Sequence, residues 1–322
     1  MRYASIDVGT NTLRLLIAEP EGRNLKPVVY KRKITRLGGG YTEGAGIGTE
    51  AAARTFAALE EFRGEIDKTG ASTVMAFATS VVRRAANREW FTDEVRRRAG
   101  IDITVISGDE EARLSLAGVL SVIDDRRGRK LVMDIGGGST EFIATQDGAA
   151  VGAWSMEMGV VHLTEKHLKT DPPSEDDLAS IEEEVKGIIS ELKSRMRRDG
   201  VEVEEYSGGR HASFVGTAGT ITTLAAIDQD LAVYDRARIN NYTLKKERIT
   251  SIYRYIAGLT LEERERVLNL EKGREDLIIP GTAITLLAMD AFGFTEAKVS
   301  DAGLLEGIII DRLKPGVVAL KY

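Results

Sequence analysis

The chain contains no cysteine. Disulfides, a thiolate nucleophile and cysteine-bound zinc are therefore excluded. No stretch approaches the ~18 uninterrupted apolar residues of a membrane-spanning helix, so no membrane span or membrane partner is expected. The N-terminus enters a strand pattern at once, without the basic region, apolar core and cleavage site of a secretory leader. Together with the missing cysteines, this gives an expected cytoplasmic location. Positive charge is not in excess. Against 50 acidic residues stand 44 Lys and Arg, a net charge of −6. This argues against non-specific nucleic-acid binding and leaves DNA out of the expected partners. The three histidines, His162, His167 and His211, show no metal spacing. His162 and His167 lie five apart on an expected helix, not on one face, and are assigned no chemistry.

What the chain has is one motif twice. An apolar run ends in Ile6-Asp7-Val8-Gly9-Thr10-Asn11-Thr12 and resumes as Leu13-Arg14-Leu15-Leu16. Later, Leu131-Val132-Met133 leads into Asp134-Ile135-Gly136-Gly137-Gly138-Ser139-Thr140-Glu141 and then Phe142-Ile143. Each copy reads as strand, Asp-x-Gly turn, small hydroxyl residues, strand. Either copy alone is compatible with a plain hairpin turn. Two copies in one chain point instead to paired anion nests, in which successive backbone N–H groups face a phosphate. Gly9, Thr10, Asn11 and Thr12 form the first candidate phosphate-binding set, and Gly136, Gly137, Gly138, Ser139 and Thr140 the second. A third strand-to-glycine turn adds Gly216 and Thr217. Neither the dinucleotide pattern G-x-G-x-x-G nor a Walker G-K-[ST] is present.

Short strands alternate with helices, the mark of an α/β fold. A strand meander is expected over 3–19 and 25–36 and a second one through 151–156, with strands at 74–78 and 101–106 and helices at 50–69, from about 80, at 89–99 and to about 122. A long helix at about 175–198 is expected behind a Ser174/Asp177 capping pair. Further helices are expected near 219–227, 245–257, 260–266, 280–291 and 302–313. The polar turn Asp124–Lys130 is the expected boundary between a first domain, 1–124, and a second, 125–322. The C-terminal helix at about 302–314 is expected to be able to pack back onto the first.

Acidic residues supply the candidate chemistry. Ser107 and Glu110 match a capping box, which gives Glu110 a structural task and leaves Glu111 to accept a proton from water. An all-structural reading of this cluster, favoured by the helix dipole, is equally open. Asp134 and Glu141 flank the second turn. A carboxylate facing phosphate is unfavourable without an intervening cation or water, so the pair is read as holding Mg²⁺ or orienting water, with Glu141 also catalytic. Arg83, early in a helix, is a candidate bidentate phosphate ligand; its bland alternative is a salt bridge to a nearby acid. Arg84 shares the two readings of Arg83, whereas Arg88 and the basic clusters Arg96–Arg98, Arg126–Lys130 and Arg195–Arg198 read as solvated faces.

These segments, with Ala78-Thr79-Ser80-Val81-Val82-Arg83, Ile106 to Arg113, Gly216 to Thr220 and Val299-Ser300-Asp301, resemble the exopolyphosphatase/guanosine pentaphosphate phosphohydrolase family in its order and over nearly the whole chain. The resemblance implies two ribonuclease-H-like domains of the actin, acetate kinase and sugar kinase superfamily with an interdomain cleft. It implies Mg²⁺-assisted release of terminal phosphate from polyphosphate or guanosine pentaphosphate, with polyphosphate or guanosine penta- or tetraphosphate as ligand. It puts the catalytic glutamate on Glu111, and phosphate and metal positions on Asn11, Arg83, Asp134, Gly136 to Thr140 and Glu141. A homodimer is compatible with it. The chain looks like the short two-domain form, and Gly273-Arg274-Glu275-Asp276 departs from the family's Arg-Ala-Asp type segment. Two other readings stay open: a non-enzymatic alarmone or polyphosphate sensor, and a kinase or ATPase on the same fold.

Overall fold

The computed structural model describes residues 1–21, 24–42, 44–209, 212–267 and 273–313. His211 and the last residue of the expected C-terminal helix, 314, lie outside them. In chain order the first elements are β1 Tyr3–Val8, β2 Thr12–Glu21, β3 Asn24–Ile34, α1 Thr49–Thr69, β4 Thr73–Ala78, α2 Ser80–Arg84, α3 Arg88–Ala99, β5 Ile103–Val105 and α4 Gly108–Val122. Then follow β6 Arg129–Ile135, β7 Thr140–Gln146, β8 Ala149–Met156, α5 Val160–His167, α6 Glu175–Arg198, β9 Ala212–Thr217, α7 Ala218–Asp228, α8 Arg236–Ile239 and β10 Thr243–Lys245. The last are α9 Lys246–Ala257, α10 Leu261–Val267, α11 Ile278–Phe292, β11 Glu296–Val299 and α12 Leu304–Leu313.

The chain forms two compact units. Among the described residues, one comprises Met1–Ser121 and the helix α12, Leu304–Leu313; the other comprises Val122–Gly303. The first sheet runs β3-β2-β1-β4-β5 and the second β10-β11-β9-β6-β7-β8. In each, three antiparallel strands in succession are followed by two parallel ones: β1 pairs antiparallel with β2 and parallel with β4, and β6 pairs antiparallel with β7 and parallel with β9; the second sheet adds an antiparallel edge strand, β10. This is the duplicated α/β architecture that two ribonuclease-H-like domains require.

Local chemistry explains the elements. Along α1, Ala52, Phe56, Leu59, Phe62 and Ile66 recur at helical spacing and are buried, and Gly70 ends the helix at φ +65°. The capping box on α6 forms as expected, with Ser174 accepting from the Asp177 N–H and Asp177 accepting in return. The strand expected over 101–106 is shorter, Ile103–Val105, because β5 pairs on one side only, with β4. The short β10 and α8 carry too few residues to show a period, and the sequence reading missed both.

Alternation along β1 decides what covers each side of the first sheet. Ala4, Ile6 and Val8 join the core formed with α1 and α3. Ser5 faces the other way and donates its hydroxyl to the Leu305 carbonyl of α12, 2.9 Å away. Leu16 and Ala18 pack there against Leu305 and Ile309. Helix α12 lies so close to α4 that a Cβ on Gly307 would come within 1.7 Å of the Leu114 carbonyl oxygen. Arg113 fastens the two helices by donating to Glu110 (2.8 Å) and Asp311 (2.6 Å), and these bonds hold its guanidinium pKa above the ordinary value. Gly307→Ala is therefore expected to lower the stability of the chain by roughly 3 kcal/mol, the upper range for overpacking. Chemical denaturation measures it, and an unchanged midpoint would contradict the packing described.

Candidate functional site

The two motif copies form the same turn. In the first unit the Gly9 N–H donates to the Thr12 carbonyl at 3.1 Å; in the second the Gly136 N–H donates to the Ser139 carbonyl at 2.9 Å. Both are hairpin connections, closing Val8↔Leu13 and Ile135↔Thr140 in register. Neither turn has a glycine at positive φ. Glycine is needed for space: a Cβ on Gly9 or Gly136 would lie 3.0 or 2.8 Å from the carbonyl oxygen that its own N–H bonds. Among the described residues, the N–H groups of Thr10, Asn11, Gly137 and Gly138 have no hydrogen-bond acceptor within the protein. Thr10 Oγ1 is buried without a partner.

Register separates the two copies chemically. Asp7 stands opposite Arg14. It is 3% exposed, and its Oδ2 accepts from the Arg14 guanidinium at 2.5 Å, while Oδ1 is buried and unbonded. Asp134 holds the same position in the second unit and stands opposite Glu141. A guanidinium on one hairpin is thus replaced by a second carboxylate on the other. Glu141 is 1% exposed and its Oε1 accepts from the Ser155 hydroxyl at 2.7 Å. Like charges placed directly opposite destabilise a strand pair, so two carboxylates here form a donor set that fits a hard divalent cation. No group of three or more metal-binding side chains is gathered among the described residues. The pair would share Mg²⁺ with water or phosphate oxygens, the habit of that ion.

The structure brings Arg83 and Glu111 together in the first unit. Arg83 Nη1 donates to Glu111 Oε2 and to the Ile106 carbonyl, both at 3.0 Å. The two side chains are 23% and 13% exposed. The expected salt bridge therefore forms, and the Nε/Nη2 edge makes no bond to the protein among the described residues, leaving a planar two-donor fork of the kind that suits a phosphate. Ser107 caps α4 by accepting from the Glu110 N–H at 3.1 Å. Only this half of the capping box forms, because the Glu110 carboxylate turns to Arg113, a charge-assisted bond that a neutral N–H does not match.

Other expected residues have internal tasks. The Thr140 hydroxyl donates to the Met158 carbonyl at 2.5 Å and that of Thr217 to the Ala302 carbonyl at 3.0 Å. Gly216 is required by packing, since a Cβ would sit 2.8 Å from Ile221 Cγ1. His162 and His167 converge on one carboxylate, Glu184 of α6, at 3.7 and 2.5 Å. The arginines at 97, 98, 195 and 197 make exposed ion pairs, as solvated faces do.

Sequence reasoning named Arg274 only within a segment that departs from the family's pattern and gave it no contact. Its Nη1 donates to the Gly219 carbonyl at 2.9 Å and to Thr223 Oγ1 at 3.3 Å, covering the first turn of α7. A Cβ on Gly219 would meet the guanidinium carbon at 2.6 Å. Beside it, Ala218 holds φ +68°, a strained conformation for a residue with a side chain. The loop around Arg274 is held by Arg264, which is 3% exposed and donates to the carbonyls of Leu259 (2.6 Å) and Glu275 (2.9 Å). Burial pushes the Arg264 pKa down. The signal was the Gly216-Thr217-Ala218-Gly219 turn, whose second glycine makes room for a side chain 55 residues away.

Known proteins share this organisation. Exopolyphosphatase 2 of Mycobacterium tuberculosis is 31% identical over 323 residues, covering 96% of this chain and 98% of that protein. The bifunctional 3-dehydroquinate synthase/phosphatase of Fusobacterium nucleatum is 33% identical over 320 residues; the match covers 96% of this chain but 46% of that protein, so the chain spans about half its length. Among solved structures, an exopolyphosphatase from Cytophaga hutchinsonii is similar over 100% of both chains, with a TM-score of 0.88 and 26% identity. A model of the Ppx/GppA phosphatase family matches residues 16–315, and on that span the chain belongs to the Ppx/GppA phosphatase family.

Proposed function

We propose that the chain is a Mg²⁺-dependent hydrolase that releases the terminal phosphate of inorganic polyphosphate, with guanosine pentaphosphate as the alternative substrate. The observation that carries this reading is the Arg83–Glu111 pair: a carboxylate held in place by one guanidinium nitrogen whose remaining edge suits a phosphoryl group. Family membership supports the phosphatase chemistry, and the names of the Mycobacterium and Cytophaga relatives support polyphosphate.

In this reading Glu111 takes a proton from the attacking water, and Arg83 neutralises phosphoryl oxygens through Nε and Nη2. The open N–H groups of the two hairpins bind phosphate oxygens. Asp134 and Glu141 would hold Mg²⁺, which when bound neutralises charge on the phosphate oxygens. Phosphoryl transfer depends on such positioning and charge stabilisation more than on covalent chemistry. A cytoplasmic location belongs to the same proposal on the cysteine-free composition alone.

Glu111→Gln is expected to lower phosphate release from polyphosphate by about 10³-fold, the scale of a lost general base. Binding of methylenediphosphonate, a phosphate pair with a non-hydrolysable bridge, stays within about threefold by calorimetry if only the base is lost. A Gln variant that still turns over removes Glu111 from the role. Arg83→Lys preserves a cation for Glu111 but not the fork, so KM for polyphosphate should rise by about tenfold; unchanged kinetics would take Arg83 out of the site. Glu141→Gln should weaken the activating effect of Mg²⁺, read as a rightward shift in the metal titration of phosphate release. A superimposable titration would argue against the carboxylate pair as the metal site.

A further inference from the structure

The second hairpin is gripped from behind. Helix α5 begins at Val160, and its first N–H groups do not point to solvent. The Val160 N–H donates to the Gly136 carbonyl at 3.1 Å and the Val161 N–H to the Gly137 carbonyl at 2.9 Å. A trans peptide is planar, with the carbonyl of one residue and the N–H of the next pointing in opposite directions. Pinning the carbonyls of Gly136 and Gly137 to α5 therefore turns the N–H groups of Gly137 and Gly138 away from it. These are two of the amides without an acceptor inside the protein among the described residues. The positive end of the α5 dipole polarises both peptides so that their N–H groups donate more strongly.

The approach is possible only at Gly159. A Cβ there would lie 2.3 Å from the Gly137 oxygen and 2.4 Å from both the Cα and the carbonyl carbon of Gly138. One residue earlier, Met158 supplies the carbonyl that takes the Thr140 hydroxyl, so the segment entering α5 also fixes the far end of the turn.

We infer that the N-terminus of α5, entered through Gly159, is a positioning element for anion binding: it grips the carbonyls of Gly136 and Gly137 and so aims the amides of Gly137 and Gly138 at a phosphate of the substrate. Gly159 and Val160 are positioning residues that touch no ligand. The inference rests on the phosphate-binding reading of the 136–140 turn. The first unit aims one of its open amides, that of Asn11, by other means. There the loop after β3 supplies the grip, with the Gly38 N–H on the Thr10 carbonyl (2.8 Å) and the Thr35 and Arg36 N–H groups on the Asn11 carbonyl (3.0 and 2.9 Å).

Helix chemistry offers a selective test. Val160 is the first helical residue, a position where proline is favoured. Gly159, at φ −103° and ψ 147°, already has the extended backbone required before proline. Val160→Pro therefore keeps the helix and deletes the N–H on the Gly136 carbonyl. Gly159→Ala instead pushes the hairpin away. Binding of methylenediphosphonate by calorimetry, thermal melting and polyphosphate kinetics would be measured on both variants and the wild type. Both variants are expected to bind the probe about tenfold more weakly, the scale of one lost hydrogen bond to a charged group. KM for polyphosphate rises in step and kcat changes less, while Val160→Pro, which also sets its ring against the Gly136 carbonyl, melts below the wild type but still in one cooperative transition. If Gly159→Ala does not fold, Val160→Pro decides. Probe affinity within twofold of wild type in a folded variant overturns the inference, as does a wild type that binds no probe. A wild type that binds the probe, variants that bind it weakly and no hydrolysis of polyphosphate by any of them would uphold the inference and reject the hydrolase reading.

Discussion

Both units depend on one short backbone hydrogen bond, from the glycine that opens the turn to the carbonyl that closes it: Gly9 to Thr12 and Gly136 to Ser139. It fixes the length of the hairpin, and with it the register of the first two strands of each sheet. A slip of one residue would turn every side chain to the opposite face. The register puts Asp7 across from Arg14 and Asp134 across from Glu141. The same fold element thereby gives one neutralised carboxylate and one carboxylate pair. A duplicated architecture acquires two different chemistries from a single cross-strand position.

Much of this was legible in the sequence, because the signals are local. The two Asp-x-Gly turns, the period of α1, and the Ser174/Asp177 box lie within a few residues of one another, and the structure forms each of them. The pairing of Arg83 with Glu111 was only half legible. The sequence offered a phosphate ligand or a salt bridge as alternatives, and a guanidinium with donors on two edges accommodates both. The hydroxyls of Thr140 and Thr217 were half legible for a related reason. Small hydroxyl residues in a glycine-rich turn look like ligand donors, but their acceptors, the carbonyls of Met158 and Ala302, come from elsewhere in the chain.

What the sequence could not show were close approaches between distant segments. Gly159 reads as an unremarked glycine before a helix until the Gly137 oxygen is seen against it. Arg274 reads as part of a variant loop until it is found over Gly219. In each case the glycine is explained by the room that it leaves for a neighbour, not by its backbone angles, and composition carries no record of such a neighbour.

The position of α12 bears on how the molecule is made. The first 121 residues supply a whole sheet and the helices α1 and α3 on one side of it, yet the cover for Leu16 and Ala18 is encoded after residue 303. Synthesis runs from the N-terminus, so Leu16 and Ala18 are made about 290 residues before the Leu305 that covers them. Residues Val122–Gly303 of the second unit are made in between. The N-terminal part of the first unit therefore stays an unfinished globule while Val122–Gly303 is made, and α12 is the segment that retires its sticky surface.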